Sequence, residues 1–370
     1  IIDLLGRNEI QLDQDLIKTY ISGKRILITG AGGSIGSELA RQCLKFEPAL
    51  MVMLDNSELN LFQIEREVLA KNTNVLTKPL LSNIRDLDIL SKVFTQYEPQ
   101  VVFHAAAYKH VAMQEEFPWE AVKTNVNGTS NLVKLSLEHN VEKFVLVSTD
   151  KAVKPTNVMG ATKRLAEIIT QSYNRNQDNT EFMAVRFGNV LGSSGSVIPI
   201  FQEQIKNGGP VTITDPDMER YFMSIPEASQ LILQAGSLGI GGEVFILDMG
   251  KPIKIIDIAN ELIRLSGFEP DLDISIEVTG TRPGEKKIEE LSLPSEQLDK
   301  TKHEKIFVLS DNKISDKDLS NIIAEIKNLE DSLSGHSANQ VRSMLSSILP
   351  EYEPNLKSKE PVFLRLKAEA

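Results

Sequence analysis

The sequence predicts an α/β fold, a doubly wound parallel sheet with a smaller C-terminal α/β substrate-binding cap over its strand ends. Three observations carry that prediction. Between residues 24 and 185, short apolar runs alternate with longer stretches of helical periodicity. The first run ends in a glycine-rich turn that opens a helix, and beyond about residue 190 the alternation loosens into Gly, Pro and Asp clusters. Alternating strands and helices specify parallel strands joined by right-handed crossovers, with helices on both faces.

The elements follow in order. Residues 1–22 are polar with apolar positions at Leu4, Leu5, Leu12, Leu16 and Ile17, the pattern of a short packed arm. Lys24 to Thr29 reads as a strand and Ile35 to Phe46 as a helix; Leu50 to Leu54 is the second strand. Glu58 to Lys71 carries Leu61, Ile64 and Val68 at helical spacing. A strand at Val75 to Leu80 precedes a helix at Leu87 to Gln96, and Val101 to Phe103 precedes a long helix at Ala121 to His139. Lys143 to Val147, the helix Met159 to Asn174 and the strand Phe182 to Val185 complete the regular part. Further on, Asp257 to Ser266 reads as an amphipathic helix. Ser315 with Asp318 three residues later resembles a capping box opening a helix to Leu329, and another helix spans Ala338 to Leu349. The resulting division is an arm at 1–22, a nucleotide-binding unit at 23–190, a partly interleaved substrate portion at 191–310, and C-terminal helices and tail at 311–370.

Composition narrows the function. The 370 residues hold 40 Lys+Arg against 51 Asp+Glu, a net charge of −11, with 41% hydrophobic and 25% charged residues. Such a chain is neither collagen-like nor disordered, and its acidity argues against nucleic acid or an anionic membrane as a partner bound through bulk charge. Cys43 is the only cysteine, so an intramolecular disulfide and a multi-cysteine zinc site are both excluded; it falls in a helical stretch and reads as structural. No His/Asp/Glu spacing suggests a metal, and no apolar run approaches the ~20 residues of a membrane-spanning helix.

The turn Thr29-Gly30-Ala31-Gly32-Gly33-Ser34-Ile35-Gly36 lies between strand and helix. Gly30 permits the tight turn, Gly33 lets backbone approach a pyrophosphate, and Gly36 lets helix and strand pack closely. Amides at the helix start stabilise the anion. Asp55 ends the second strand, where a carboxylate accepts bonds from ribose hydroxyls and repels a 2′-phosphate; NAD is therefore expected rather than NADP. Ser34, Ile35, Asn56 and Ser57 belong to the same expected site.

The Gly-x-x-Gly-x-x-Gly spacing resembles the extended short-chain dehydrogenase/reductase family, with its Rossmann-type sheet. Asn83-Ile84-Arg85-Asp86 stands where that family contacts adenine, with Asn83 replacing an Asp. Ala105, Ala106 and Ala107 follow His104 as the family's cofactor-lining turn does, and Asn125 opens a segment similar to its helix motif. Met159-Gly160-Ala161-Thr162-Lys163 occupies the place of Tyr-x-x-x-Lys; Lys163 keeps the ribose-facing position, but Met159 has no proton to exchange. Ala107 to Val111, Thr149 to Gly160, Arg186 to Val190, Asp215 to Met218, Arg220 to Met223 and Arg282 to Lys286 closely resemble one branch, the UDP-N-acetylglucosamine 4,6-dehydratases of surface-polysaccharide synthesis. Its large membrane-anchored members also carry Met in place of Tyr.

That resemblance implies Asp150 as general acid toward the leaving hydroxyl and Lys151 as base at carbon 5, with Thr149, or a water it orders with Asp150, serving the O4 proton. A lysine base must be uncharged, which burial and neighbouring Lys163 favour. Arg220 and Arg282 are the expected diphosphate ligands; Asn189 and Glu285 are expected to reach the uridine ribose or sugar, and Lys109 and His110 to line the sugar site. The chain opens Ile1-Ile2-Asp3 without an initiator methionine, and Asp3-Leu4-Leu5-Gly6-Arg7 is similar to the stretch that follows the membrane region in those relatives. The expectation is the cytoplasmic domain of an inner-membrane protein, itself without direct membrane contact. A homo-oligomer, a dimer or higher, is expected through the helices Ala121 to His139 and Met159 to Asn174. A UDP-sugar 4-epimerase shares fold, cofactor and Lys163 but depends on the tyrosine; an inactive nucleotide sensor has no need of Asp150, Lys151 and Lys163.

Overall fold

Apolar runs buried on both faces need cover on both sides, and here the chain provides it. The computed structural model describes residues 10–71, 74–174, 179–293, 296–309, 316–332 and 335–354. Its first half contains α1 (Gln14–Ile21), β1 (Arg25–Thr29), α2 (Ser34–Cys43), β2 (Leu50–Asp55), α3 (Glu58–Ala70), β3 (Leu76–Leu81), α4 (Leu87–Tyr97), β4 (Val101–His104), α5 (Val111–Glu116), α6 (Pro118–Ala121), α7 (Gly128–Glu138), β5 (Lys143–Val147), α8 (Val158–Asn174) and β6 (Glu181–Arg186). The second half contains β7 (Asn189–Val190), α9 (Val197–Lys206), β8 (Val211–Ile213), β9 (Glu219–Arg220), β10 (Phe222–Met223), α10 (Ile225–Leu238), β11 (Val244–Leu247), β12 (Ile253–Lys254), α11 (Ile255–Leu265), β13 (Ile276–Val278), β14 (Leu298–Lys300), β15 (Ile306–Leu309), α12 (Asp316–Ser332) and α13 (Ala338–Ile348).

The main sheet runs β3-β2-β1-β4-β5-β6-β11-β15-β14, parallel as far as β11 and antiparallel at the β15–β14 edge. Ile26 lies opposite Met51 on one side and Val101 on the other. Strand order reverses between β1 and β4, the switch point at which such sheets leave a crevice at their carboxyl ends. Alternation along each strand splits the core in two: Leu27, Val52 and Phe144 belong to one face, Ile28, Met53 and Val145 to the other. A separate core of Phe201, Val211, Leu262 and Ile274 holds the cap together, where β8 pairs with β13.

Three differences from expectation have physical causes. The helix expected at Ala121 to His139 is interrupted: α6 ends at Ala121, a π-helical turn spans Val122–Asn127, and α7 restarts at Gly128. A Cβ at residue 128 would sit 2.5 Å from Ile84 Cδ1, so glycine admits the Ile84 side chain there. Second, Leu16 is 39% exposed while Ile17 is buried, because α1 presents only one face to the rest of the chain, packed chiefly against α10. Third, α8, expected at an interface between copies, is covered by this chain itself over most of its length. Its residues from Val158 to Thr170 are all buried, with α5, α12 and α13 lying against it. The expected Ser315 cap, the Asp3 to Arg7 stretch and residues 355–370 of the tail lie outside the described residues.

Helix α13 also reaches toward the sheet ends. Arg342, buried, donates through Nε to Glu115 Oε2 at 3.0 Å, while Glu115 Oε1 accepts from the Val158 amide at 2.7 Å. One carboxylate thus ties α13 to α5 and to the start of α8. Among the described residues, no helix is long and apolar enough to cross a membrane.

Candidate functional site

The glycine turn is built to a tolerance that excludes side chains. Gly30 has φ +68, and a Cβ there would stand 2.6 Å from the Ala106 amide nitrogen; at Gly36 it would stand 2.0 Å from the Gly30 carbonyl oxygen. Gly33 is the N-cap of α2 and makes no side-chain cap, so the first-turn amides receive no protein side-chain acceptor at that position. Ser34 and Ile35 begin the helix, and Ser34 Oγ accepts from the Ser194 amide at 3.2 Å, which brings the loop after β7 onto the glycine turn. Asp55 is buried at the tip of β2, accepting from the Gly32 amide through Oδ2 and the Ser57 amide through Oδ1, each at 2.8 Å. Its two oxygens brace both loops and keep lone pairs for a ligand. Asn56 is exposed beside it.

Farther along the sheet ends, Asn83 accepts from the Arg85 amide at 3.0 Å and Ile84 is buried under Gly128. Ala105, Ala106 and Ala107 continue β4, the Ala105 amide bonding the Thr29 carbonyl at 3.1 Å. Asn125 is occupied internally: its Oδ1 accepts from the Tyr108 amide at 2.8 Å, and its Nδ2 donates to the Tyr108 carbonyl and to Thr162 Oγ1. It holds the segment carrying Lys109 and His110. Both of those residues are exposed. Partial desolvation nonetheless lowers the proton affinity of the Lys109 ammonium, and also that of His110, to which Lys109 contributes.

Thr149, Asp150 and Lys151 follow β5. Thr149 Oγ1 donates to Asp150 Oδ1 at 2.9 Å, and Lys151 Nζ reaches the same oxygen at 2.9 Å and Asn189 Oδ1 at 3.2 Å. Asp150 is fully enclosed, and its Oδ2 is buried without a hydrogen-bond partner. A Cβ on Gly188 would come within 2.9 Å of that oxygen, and one on Gly160 within 2.2 Å of the Lys151 carbonyl oxygen, so two glycines let α8 and the β6–β7 turn close on the pair. Met159 is buried one turn before Lys163. Lys163 Nζ donates to the Val147 carbonyl at 2.6 Å; burial pulls its ammonium down to about 8, with Glu167 opposing.

Of the expected substrate ligands, Arg220 is buried and donates to the Glu219 and Lys287 carbonyls at 2.7 and 3.0 Å. Arg282 is exposed, and Glu285 is engaged in the same turn, its Oε2 accepting from the Arg282 amide at 3.0 Å. The sequence reading missed Glu289, whose buried side chain places Oε1 4.0 Å from Lys151 Nζ. Nothing local distinguishes Glu289 from its neighbour Glu290; the fold buries the first and leaves the second outside with Lys154. Also missed was the role of Glu167. Fully buried, it receives two bonds from Arg186 at 2.8 and 2.7 Å, one from Arg164 at 3.2 Å and one from Ser148 Oγ at 2.6 Å. Burial alone would raise its carboxyl, but Arg186, Arg164 and Ser148 pull it down to about 2.

Comparison with known proteins places this architecture. The sequence profile of a family described as "Polysaccharide biosynthesis protein" matches residues 26–311. The capsular polysaccharide biosynthesis protein CapD of Staphylococcus aureus is 51% identical over 306 residues, 82% of this chain and 51% of CapD, so the chain spans about half of that relative's length. Among solved structures, Pen from Bacillus thuringiensis superposes with a TM-score of 0.73 at 35% identity, covering 83% of this chain and 99% of Pen. DesIV, a dTDP-glucose 4,6-dehydratase from Streptomyces venezuelae, shares the fold at 21% identity with a TM-score of 0.63, over 72% of this chain and 88% of its own. With the family profile spanning the sheet, the glycine turn and the acid–lysine pair, the chain belongs to the polysaccharide biosynthesis protein family.

Proposed function

We propose that the chain is an NAD-dependent UDP-N-acetylglucosamine 4,6-dehydratase, a lyase making a UDP-4-keto-6-deoxy-N-acetylhexosamine. The observation that carries the reading is the Asp150–Lys151 pair, its acid buried, with Thr149 bonded to it, set beside a helix whose residue 159 is Met. A 4-epimerase needs a tyrosine there and has no use for the pair.

The chain's residues fit the dinucleotide. Gly30 and Gly36 leave no room for a side chain at their own positions, while α2 turns its first amides and its positive end toward the turn. Asp55, with Asn56 and Ser57, suits the adenosine ribose, Asn83 and Ile84 the adenine side, Ala105 to Ala107 the far wall, and Lys163 the second ribose; Asn125 supports that wall. Bound NAD supplies a hydride acceptor toward carbon 4 and a donor toward carbon 6, leaving proton traffic to the protein.

That traffic balances within three residues. Thr149 commits its hydroxyl proton to Asp150, so its oxygen offers lone pairs to the sugar O4–H. As the O4 proton moves to Thr149, the Thr149 proton moves to Asp150 and loads it as an acid. Lys151, as the free amine, takes the proton from carbon 5, acidified by the new ketone. Asp150 then gives its proton to the departing O6 hydroxyl, which leaves as water, and Lys151 can return its proton to carbon 5. Arg220 and Arg282 are assigned to the diphosphate, Asn189 and Glu285 to the ribose or sugar, and Lys109 and His110 to the sugar rim. A homo-oligomer uses a face other than α8. The reading also makes this chain the cytoplasmic part of a membrane-anchored parent.

The test is incubation with UDP-N-acetylglucosamine followed by NMR of the product. A 4-keto-6-deoxy sugar is expected; a carbon-4 epimer, or no turnover of any UDP-N-acetylhexosamine with NAD present, overturns the reading.

A further inference from the structure

We propose that Glu289 is the proton acceptor that discharges Lys151, so that the lysine enters the elimination as a free amine. The inference rests on the dehydratase reading and extends it to a residue outside the motif that suggested it. The problem it answers is one of counting. A lysine beside Asp150 is an ammonium paired with a carboxylate, yet Asp150 must remain free to receive the O4 proton. Lys151 therefore needs a second acceptor. Among the described residues, Glu289 is the other carboxylate in ion-pair range of its Nζ, at 4.0 Å.

The surroundings suit that task. Glu289 has a side chain only 3% exposed, and Lys151 one 14% exposed, so a charged pair is held where water screens it poorly. The charged groups facing Glu289 are Lys151 and Asp150 from the turn after β5, Arg220 from β9 and Lys286 from its own loop. Arg220 spends hydrogen bonds on the Glu219 and Lys287 carbonyls, and Lys286 on the Val153 carbonyl at 3.0 Å. Neither makes a hydrogen bond to Glu289. Burial raises the Glu289 carboxyl, Asp150 adds to the rise, and Lys151, Arg220 and Lys286 oppose it without cancelling it.

The step moves one proton and no electrons between molecules. Once Nζ swings from 4.0 Å to hydrogen-bond distance, an N–H bond of the Lys151 ammonium breaks and an O–H bond forms on Glu289, and the ion pair becomes a neutral pair. Asp150 keeps its carboxylate for the O4 proton. Glu289 touches no reacting atom and acts through Lys151, so it is a positioning residue.

Three measurements test this. In Glu289→Gln the carboxyl cannot take the proton, and Lys151 must lose it to bulk solvent instead. The expected result is a kcat at pH 7 lower by tenfold or more with KM within about threefold, and an acid limb of the kcat–pH profile moved upward by about one unit. Glu289→Asp, which keeps a titratable carboxyl, recovers most of kcat and the original limb. Independently of turnover, the rate at which an amine-reactive probe modifies Lys151 at pH 7, followed by peptide mass spectrometry, falls tenfold or more in Glu289→Gln. An acid limb that stays in place or moves downward overturns the proposal, as does equal loss in Gln and Asp variants or unchanged Lys151 reactivity. Because the probe needs no sugar, a failure of the UDP-N-acetylglucosamine assignment leaves the Glu289 result readable on its own.

Discussion

Two buried charge clusters stand side by side at the carboxyl ends of β5 and β6, and they are built in opposite ways. Around Glu167, two arginines and the Ser148 hydroxyl supply four hydrogen bonds to one carboxylate, and the acid is held down at about 2. Around Asp150, one lysine serves two buried carboxylates, an oxygen is left without a partner, and Glu289 is held up rather than down. Ser148 belongs to the first cluster and Thr149 to the second, so adjacent residues on one strand end point into different chemistry. A carboxylate saturated with donors stays ionised and acts as a rivet; an undersupplied one can take and release a proton. The contrast separates structure from candidate catalysis by hydrogen-bond supply, since the carboxylates of both clusters are buried.

Breaking each cluster should therefore cost different things. The largest effect is expected at Lys151→Ala and Asp150→Asn, each lowering turnover by roughly 10²–10⁴-fold; unchanged turnover in both would sink the acid–base assignment. Glu167→Gln should do the reverse in kind, removing about 3–5 kcal/mol of stability by stranding Arg186 in the core, as read by urea denaturation. A Glu167 variant as stable as the parent would show that the first cluster is no rivet.

Acid sharpens the same contrast. Glu167 is lowered in the folded protein relative to an unfolded carboxyl, so its contribution is present above about 4.5 and is lost as pH falls toward about 2. Stability measured against pH should drop across that window, and the drop should vanish in Glu167→Gln. Lys163 gives the opposite sign. Burial pulls it down to about 8, so between there and the ordinary lysine value the unfolded chain binds a proton that the folded one has released. Stability should rise with pH through that range, and Lys163→Met should flatten the rise. The smallest expected effect on turnover is at Thr149→Val, roughly 10²-fold in kcat, the low end for a lost proton acceptor, with Thr149→Ser close to the parent.

How much of this was legible in the sequence depends on range. Strands β1, β2, β4, β5 and β6 read correctly because parallel strands buried on both faces are written as continuous apolar runs, and the glycine turn because its spacing is a local constraint on backbone. Thr149-Asp150-Lys151 was visible as a cluster because its members are consecutive. The close fit of Ile84 against Gly128 was not, since the two lie some forty residues apart in the chain.

By itself, then, the sequence determined the order of strands and helices as far as β6, the glycine geometry and the neighbouring acid and lysine, all of which are set by residues within a turn or two of one another. Tertiary structure alone decided which charges are buried together. Glu289 is 138 residues beyond Lys151, and Glu115 meets Arg342 across 227. Whether a glutamate is a solvated surface charge, a rivet or a proton acceptor depends on how many donors the fold delivers to it and how much water it removes. Neither quantity is a property of the residue's neighbours in the chain.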